Sequence, residues 1–271
     1  MPELPEVETT RRGIAPLLVG KTVQRVVVRE RRLRWPVSPA LSRGLADATV
    51  RGVRRRGKYL LIDTARGTAI VHLGMSGSLR IVDADQPPFA HDHLDLVLAG
   101  GKAIRFTDPR RFGSWSWTTR DPAEHPLLAH LGPEPLDDAF DGAHLHARSR
   151  GRKSAVKNFI MDGRIVVGVG NIYASEALWA ARIHPRRAAG RIARSRYDAL
   201  ADAIKTVLAR AIEQGGTTLR DYAQSDGNPG YFAVKLNVYE RAGKPCKRCG
   251  TPIRSEVIGQ RSSYFCPTCQ H

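Results

Sequence analysis

Four cysteines near the end of the chain constrain its fold more than any other feature of the sequence. They form two Cys-x-x-Cys knuckles, Cys246 with Cys249 and Cys266 with Cys269, separated by sixteen residues. Each knuckle places two thiolates on one side of a tight turn, and two knuckles complete a tetrahedron around zinc. Because no coordination position stays open, we expect one structural Zn²⁺ that holds a hairpin too small to bury its own core. Free or disulfide-bonded cysteines are the alternative, and they suit an intracellular chain poorly.

The charge of the chain predicts a polyanionic partner. Its 271 residues include 43 Lys and Arg against 26 Asp and Glu, a formal net charge of +17. Such an excess of positive charge most often binds nucleic acid, and a membrane surface is the alternative partner. The sequence has no apolar run of about 18 residues and no signal segment, so we expect a soluble, intracellular protein without a membrane role.

The pattern of apolar residues changes character along the chain. A helix at 6–18 with a stop at Gly20 precedes short segments rich in Val, Ile, Leu and Thr, which predict strands at 22–29, 49–56, 59–64, 69–73, 79–82, 94–98, 103–107 and 114–118. Many short strands without alternating helices indicate an antiparallel sandwich or barrel. A Pro- and Gly-containing linker follows, and then helices at 171–181 and from an N-cap at Ser195 to Gly215.

The N-terminus carries a candidate nucleophile. It reads Met-Pro-Glu-Leu-Pro-Glu. If Met1 is removed, Pro2 has a free secondary amine, and α-amino groups titrate near a pKa of ~8. A neutral amine that attacks a sugar aldehyde carbon forms a Schiff base, and Glu3 stands beside it as a proton donor or acceptor. Pro and Glu are also favoured where a helix simply begins, which is the structural alternative.

Other segments suit contact with phosphates or bases. The basic run 51–58, which ends in Lys58, is either a solvated face or a groove that follows phosphates. The glycine turn before the helix at Asn171, with Lys157 upstream, would present backbone N–H groups to a phosphate. Two glycine-bounded loops, 72–77 and 108–113, hold large side chains that are either core residues or elements that enter a duplex. Enzymes that extrude a base must fill the gap left behind.

Several motifs occur together in a fixed order, at residues 1–8, 72–77, 107–113, 131–136, 167–176 and 214–219, followed by the four-cysteine unit. In this combination the chain closely resembles the formamidopyrimidine-DNA glycosylase family, bacterial base-excision enzymes for oxidised purines. The resemblance runs nearly end to end.

The resemblance implies an α+β protein with two lobes. The N-terminal lobe would be an antiparallel β-sandwich with a flanking helix. The C-terminal lobe would carry a helix-two-turn-helix element and a four-cysteine zinc finger, with DNA between the lobes. The corresponding domains would be 1–120 (catalytic), 121–135 (linker), 136–230 (helix-two-turn-helix) and 231–271 (zinc finger).

The resemblance also implies a bifunctional glycosylase and AP lyase. Pro2 would attack C1′ of the damaged nucleoside, expel the base and form an iminium, while Glu3 protonates the sugar ring oxygen. Lys58 matches the proton donor for β-elimination of the 3′ phosphate, and Arg261 matches the residue for the subsequent δ-elimination.

The residues that would hold DNA also follow from the resemblance. His91, Arg110 and Arg152 occupy the family's DNA-contact positions, and Arg152 replaces a lysine found in some relatives, which changes its hydrogen-bond geometry. The remaining DNA-binding candidates are His72, Met75, Phe112, Lys157 and Asn171. Met75, Arg110 and Phe112 would fill the vacated stack, and a loop at 215–230 would close over the extruded base.

The expected partner is double-stranded DNA that contains an oxidised base, bound by a monomer in the bacterial cytoplasm at the nucleoid. Two alternatives stay open. An endonuclease VIII-type enzyme would favour oxidised pyrimidines, although the 110–113 loop and Leu4-Pro5 favour the purine type. A non-catalytic zinc DNA-binding protein would share the charge and the cysteines, and only Pro2, Glu3 and Lys58 distinguish it from an enzyme.

Overall fold

The chain divides into two compact units in the computed structural model, which describes residues 2–215 and 236–271. The first unit contains the residues up to Ala129, and the second contains His130–Glu213 with the C-terminal part of the described chain. Within these ranges no helix is long and apolar enough to cross a membrane. The loop predicted at 215–230 lies outside the described residues except for Gly215.

The first unit is built on antiparallel strands flanked by two helices, α1 (Leu4–Leu18) and α2 (Pro39–Leu45). Its strands are β1 (Thr22–Val28), β2 (Ala48–Arg56), β3 (Tyr59–Thr64), β4 (Gly67–His72), β5 (Ser78–Asp83), β6 (Asp92–Leu98), β7 (Lys102–Thr107) and β8 (Ser114–Thr118). The strands predicted from the sequence are confirmed, with ends that differ by up to two residues. Helix α1 begins two residues before its predicted start, and α2 was not predicted.

The strands form a continuous sheet in the order β5-β7-β6-β1-β2-β3-β4-β8. Strands β1 and β2 pair at their ends, Thr22 with Thr49 and Val23 with Ala48. Phe106 of β7 and Trp115 of β8 lie near opposite ends of this order, yet their ring centroids are 5.9 Å apart. The sheet therefore folds back on itself and its two halves face each other, which confirms the predicted sandwich.

Alternating side chains explain why these segments pair as they do. Successive residues of a strand point to opposite faces, so β2 buries Ala48 and Val50 while Thr49 and Arg51 face outward, and a register shift between Val50 and Gly52 then moves the buried position to Val53. The buried positions of the strands join one apolar cluster with residues of α1 at helical spacing, such as Ile14 and Leu18. Most of the hydrophobic burial that stabilises the unit lies in this cluster.

The second unit contains α3 (Gly142–Ser149), α4 (Val156–Met161), α5 (Asn171–Ala180) and α6 (Arg194–Glu213). The predicted helix at 171–181 is confirmed as α5. The prediction that Ser195 caps the next helix is wrong, because α6 begins at Arg194. The Ala193 carbonyl oxygen already accepts a helical hydrogen bond from Tyr197 N at 3.2 Å, and Arg194 pairs with Asp198 one turn later at 2.9 Å. Ser195 thus lies inside the first turn.

The C-terminal module of the second unit is the predicted hairpin. Strands β9 (Arg254–Ile258) and β10 (Arg261–Phe265) pair in antiparallel register, with Arg261 opposite Ile258. The two connecting residues, Gly259 and Gln260, have φ angles of 56° and 63°. Two positive φ angles in a two-residue turn match the twist of the flanking strands. The turn therefore projects Arg261 at the start of β10, where it is exposed.

Candidate functional site

Pro2 and Glu3 lie directly before the first turn of α1. Glu3 is the N-cap of this helix, and its backbone N donates to Glu6 Oε2 at 2.8 Å in a capping box. Pro2 is buried, and the side chains of Glu3 and Glu6 are 2% and 0% exposed. The candidate nucleophile, Pro2, is thus a buried residue directly before the N-cap of α1, and the carboxyl group of Glu3 belongs to the next residue.

Lys58 and His72 lie close together in the first unit. Lys58 follows Gly57 in the turn between β2 and β3, and the next residue, Tyr59, pairs with His72 across β3 and β4. The rings of Tyr59 and His72 are 4.8 Å apart. Burial, and then the positive charges of Lys58 and Arg34, lower the pKa of His72 to about 4. The imidazole is therefore neutral at neutral pH.

The tautomer of His72 follows from its backbone partner. Gly74 N donates to His72 Nδ1 at 3.0 Å, so Nδ1 is the acceptor and the proton of the neutral ring is on Nε2. His72 consequently offers a neutral N–H donor beside the lysine. Such a donor can bind a phosphate oxygen without adding charge to the site.

The basic run 51–58 includes arginines that bind carboxylates of the protein. Arg54 Nε donates to Asp63 Oδ2 at 2.6 Å, and Arg55 Nε contacts Glu8 Oε2 at 3.3 Å. The arginine pairs explain part of the run as a structural face. The candidate for chemistry in this run, Lys58, lies at the turn where β2 ends.

Met75, Arg110 and Phe112 lie on the two loops that follow β4 and β7. Met75 is half-buried, whereas Arg110 and Phe112 are exposed. The guanidinium carbon of Arg110 lies 5.1 Å from the centroid of the Phe112 ring, within cation–π distance. An exposed aromatic ring with a cation against it can stack on a base and bind a phosphate or base edge at the same time. His91, also exposed, precedes β6.

Lys157 and Asn171 meet at one atom of the zinc hairpin in the second unit. Lys157 Nζ donates to the Ser262 carbonyl oxygen at 3.0 Å and to Ser263 Oγ at 2.7 Å, and Asn171 Nδ2 donates to the same carbonyl at 3.1 Å. Lys157 is 0% exposed. Both residues therefore hold the segment next to Arg261, so the structure brings these three candidates together.

Arg152 lies between α3 and α4 and is exposed. Its Nε donates to the Arg148 carbonyl oxygen at 2.9 Å, and its guanidinium carbon lies 5.6 Å from the Phe159 ring centroid. The side chain is thus held against the protein in an exposed position, which suits a phosphate contact.

The four cysteines form a structural zinc site. Their sulfur atoms lie within 4.8 Å of one another, and Cys249 Sγ and Cys266 Sγ are 3.5 Å apart. A tetrahedral site with Zn–S bonds of about 2.3 Å requires S–S separations of roughly 3.8 Å, so the observed arrangement fits zinc. Trp179 Nε1 donates to Cys246 Sγ at 3.4 Å, which ties the site to α5.

Sequence reasoning missed a carboxylate that anchors the chain before the zinc module. Glu176 is 3% exposed and accepts hydrogen bonds from the backbone N atoms of Asn237, Val238 and Tyr239 at 2.8–3.0 Å. The available signal was a glutamate on a helix whose other residues are mostly apolar, since a buried charge requires partners. Sequence reasoning also missed Asp108, a buried carboxylate inside the 107–113 motif.

Family models match three segments of the chain. The formamidopyrimidine-DNA glycosylase N-terminal domain matches residues 1–115, the H2TH domain of the same enzymes matches 131–223, and a zinc finger found in FPG and IleRS matches 243–271.

Full-length relatives and solved structures agree with these matches. The formamidopyrimidine-DNA glycosylases of Syntrophotalea carbinolica and Nitrosococcus oceani are 62% and 59% identical to the chain, with complete coverage of both sequences. The Fpg crystal structure from Thermus thermophilus has a TM-score of 0.89 at 41% identity and covers 99% of this chain and 98% of its own. A Lactococcus lactis Fpg variant in complex with Fapy-dG-containing DNA has a TM-score of 0.93 at 34% identity, with full coverage of both chains.

Proposed function

The chain belongs to the formamidopyrimidine-DNA glycosylase family, and from this premise we propose how its residues excise oxidised purines such as 8-oxoguanine and formamidopyrimidines from duplex DNA. The protein is a base-excision repair enzyme with glycosylase and AP lyase activity, and its finger binds one structural zinc. The observation that carries the proposal is the Pro2-Glu3 pair held at the start of α1.

The first step is assigned to Pro2 and Glu3. After loss of Met1, the Pro2 nitrogen attacks C1′, the glycosidic bond breaks and the base leaves. Glu3 donates a proton to the ring oxygen as the sugar opens, and the product is an iminium between Pro2 and C1′. The place of Glu3 at the N-cap of α1, directly beside Pro2, supports this role.

The elimination steps are assigned to Lys58 and Arg261. The iminium acidifies the C2′ proton. As a solvent base takes this proton, a C2′–C3′ double bond forms and the bond from C3′ to its phosphate oxygen breaks, with Lys58 as the proton donor to the departing oxygen. A second elimination, served by Arg261, releases the sugar remnant. The turn position of Lys58 and the exposed hairpin position of Arg261 support these assignments.

DNA binding is assigned to both units. His72, Met75, His91, Arg110 and Phe112 would serve the first unit, with Met75, Arg110 and Phe112 in the gap left by the extruded base. The second unit would contribute Arg152, Lys157, Asn171 and Arg261 at phosphates. The protein would act as a monomer on DNA at the bacterial nucleoid in the cytoplasm. Its domains would be 1–120, 136–230 and 231–271, with a linker at 121–135 between the first two.

A borohydride trap tests the nucleophile. Borohydride reduces the iminium to a stable amine, so we expect a covalent adduct on DNA that contains an oxidised guanine. Pro2→Gly, or a variant that retains Met1, should trap far less, whereas the control Pro5→Ala on the same helix should trap like the parent protein. Equal trapping by Pro2→Gly, or peptide mapping of the cross-link to an internal side chain, would reject Pro2.

Oxidised pyrimidines are a second candidate substrate class. One Lactococcus lactis Fpg structure similar to this chain, with a TM-score of 0.91 at 34% identity, contains oxidised-pyrimidine DNA. Trapping across a panel of oxidised purines and pyrimidines ranks the two classes. Faster trapping on pyrimidines would favour the endonuclease VIII-type alternative.

A further inference from the structure

Asp108 lies at the junction of the segments that carry the DNA-contact candidates of the first unit. It is 0% exposed. One oxygen, Oδ1, accepts from Ser76 Oγ at 2.9 Å and from Arg110 N at 3.3 Å, and the other, Oδ2, accepts from Gly113 N at 2.8 Å. The carboxylate therefore closes its own loop and binds the loop that carries Met75.

The backbone of Asp108 reaches a third segment. Its N donates to the His91 carbonyl oxygen at 3.0 Å, and its carbonyl oxygen accepts from His93 Nε2 at 2.8 Å. His93 is 7% exposed, so this contact is shielded from water. The same residue thus fixes the position of His91.

The two glycine-bounded loops also touch through their backbones. Gly74 has a φ of +70°, and a Cβ added there would lie 2.4 Å from Gly113 N and 2.5 Å from the carbonyl carbon of Phe112. A glycine is required at this point both by its conformation and by the close approach. The loops therefore pack as one block, while Arg110 and Phe112 stay exposed on its surface.

We propose that Asp108 is a positioning residue for base extrusion. It holds Met75, Arg110, Phe112 and His91 in one preformed arrangement, so the gap in the duplex is filled without ordering flexible loops at that moment. The physical gain is pre-organisation, since the entropy of fixing these loops is lost during folding instead of during binding. The inference rests on the proposed gap-filling role of the three side chains.

Two variants weaken the network with little change in shape. Asp108→Asn replaces one carboxylate oxygen with an NH2 group, so either Gly113 N or Arg110 N loses its acceptor. Ser76→Ala removes one donor. Asp83→Asn is the matched control, because Asp83 is an exposed aspartate at the end of β5 that pairs with Lys102. Thermal melting of each variant establishes that it is folded.

Two activities and one spectroscopic signal form the readout. Single-turnover excision of an oxidised guanine should fall about tenfold in Asp108→Asn and Ser76→Ala, the effect of one hydrogen bond to a charged group. Cleavage at a preformed abasic site should fall much less, because no base has to be extruded. Fluorescence of 2-aminopurine placed next to the lesion should report slower filling of the gap. Asp83→Asn should match the parent protein in all three.

A double-mutant cycle with Phe112→Ala separates positioning from simple support of the fold. If Asp108 acts through the loop, Asp108→Asn should add little to the excision defect of Phe112→Ala. If the excision defects of Asp108→Asn and Phe112→Ala instead add, the positioning role of Asp108 is rejected, while the proposed gap-filling role of Phe112 is retained. An unimpaired Phe112→Ala would instead reject the gap-filling role, and the inference with it. Should Asp108→Asn not fold, the cycle of Ser76→Ala with Phe112→Ala decides by the same criteria.

Discussion

Arg105 and Asp95 form a bidentate ion pair across strands β7 and β6. Arg105 Nε donates to Asp95 Oδ1 and Arg105 Nη2 donates to Oδ2, each at 2.9 Å, and the two side chains are 1% and 2% exposed. Arg29 Nη2 reaches the same carboxylate at 2.6 Å. Burial raises the pKa of Asp95, but the hydrogen bonds from Arg29 and Arg105 outweigh it, so the pKa lies below its usual range.

Loss of this pair should strongly destabilise the first unit. Arg105→Ala leaves the buried Asp95 charge with part of its partners removed, and such a change costs about 3–5 kcal/mol. Denaturant unfolding followed by tryptophan fluorescence measures the effect. Lys102→Ala, on the same strand but in an exposed ion pair with Asp83, should cost less than about 1 kcal/mol. Similar losses in both variants would contradict the argument.

Lys157 should control δ-elimination through the position of Arg261. Lys157→Met removes the ammonium that binds the Ser262 carbonyl oxygen and Ser263 Oγ, and the hairpin should lose about 1–3 kcal/mol of stabilisation. We expect the ratio of β- to δ-elimination product on abasic DNA to rise, as measured on a denaturing gel.

The control for that prediction lies in the same hairpin. Ser262→Ala keeps the carbonyl oxygen that Lys157 and Asn171 bind, so its product ratio should stay that of the parent protein. Asn171→Ala should shift the ratio in the same direction as Lys157→Met. An unchanged product ratio in both Asn171→Ala and Lys157→Met would show that Arg261 does not depend on the hydrogen bonds to the Ser262 carbonyl oxygen.

The ionisation of His72 should be visible as a stability effect at mild acid. Above pH 6.5 the folded and unfolded forms are both neutral at this residue. As the pH falls from 6.5 to about 4, the unfolded chain binds a proton that the folded chain does not, so stability falls across this window. NMR titration of labelled histidines should show one ring with a pKa near 4. A His72 pKa near 6.5 would refute the assignment.

A neutral His72 also makes a prediction for salt dependence. His72→Gln removes a DNA contact without removing a charge, so the slope of log Kd against log salt should not change. Arg152→Gln removes a charge at a phosphate and should reduce the slope by about 0.9. Fluorescence anisotropy over a range of salt concentrations measures both. A smaller slope for His72→Gln would indicate that its ring is protonated on DNA.

Zinc removal should act on the second unit alone. Chelation, or Cys269→Ser, should release one metal ion per chain and weaken DNA binding, because the β9–β10 hairpin depends on the four thiolates. The exposed Thr268→Ala, between the last two ligands, should keep full metal content. Metal analysis and DNA titration test these outcomes, and full DNA affinity after complete chelation would exclude the finger as a DNA contact. Thermal unfolding of the first unit should be unchanged.

The sequence predicts the local parts of this fold well. Strand periodicity places β1–β8, and the cysteine spacing predicts the hairpin, because both signals depend on residues that are near in sequence. Helices α3 and α4 span eight and six residues, too few for a clear apolar period, and they were not predicted. The predicted N-cap of α6 at Ser195 is wrong, because serine is a favoured capping residue and the sequence does not show that the Ala193 carbonyl oxygen already accepts the first helical hydrogen bond.

The contacts that position the site depend on residues distant in the chain. The family motif identifies Lys157 as a phosphate contact, a role that stays a prediction. Its complete burial against Ser262 cannot be read from the sequence, because the two residues are 105 positions apart. Likewise, nothing local shows that Asp108 binds Ser76 and, through its backbone, His91.

The 105 positions between Lys157 and Ser262 determine when this contact can form during synthesis of the chain. Closing a loop of this length is slow relative to forming a local hairpin or helix. Lys157 is made long before its partners leave the ribosome, so the sandwich can consolidate while this ammonium is still hydrated. The segment next to Arg261, the residue that we assign to the last chemical step, is therefore anchored to Lys157 only after the rest of the chain has been made.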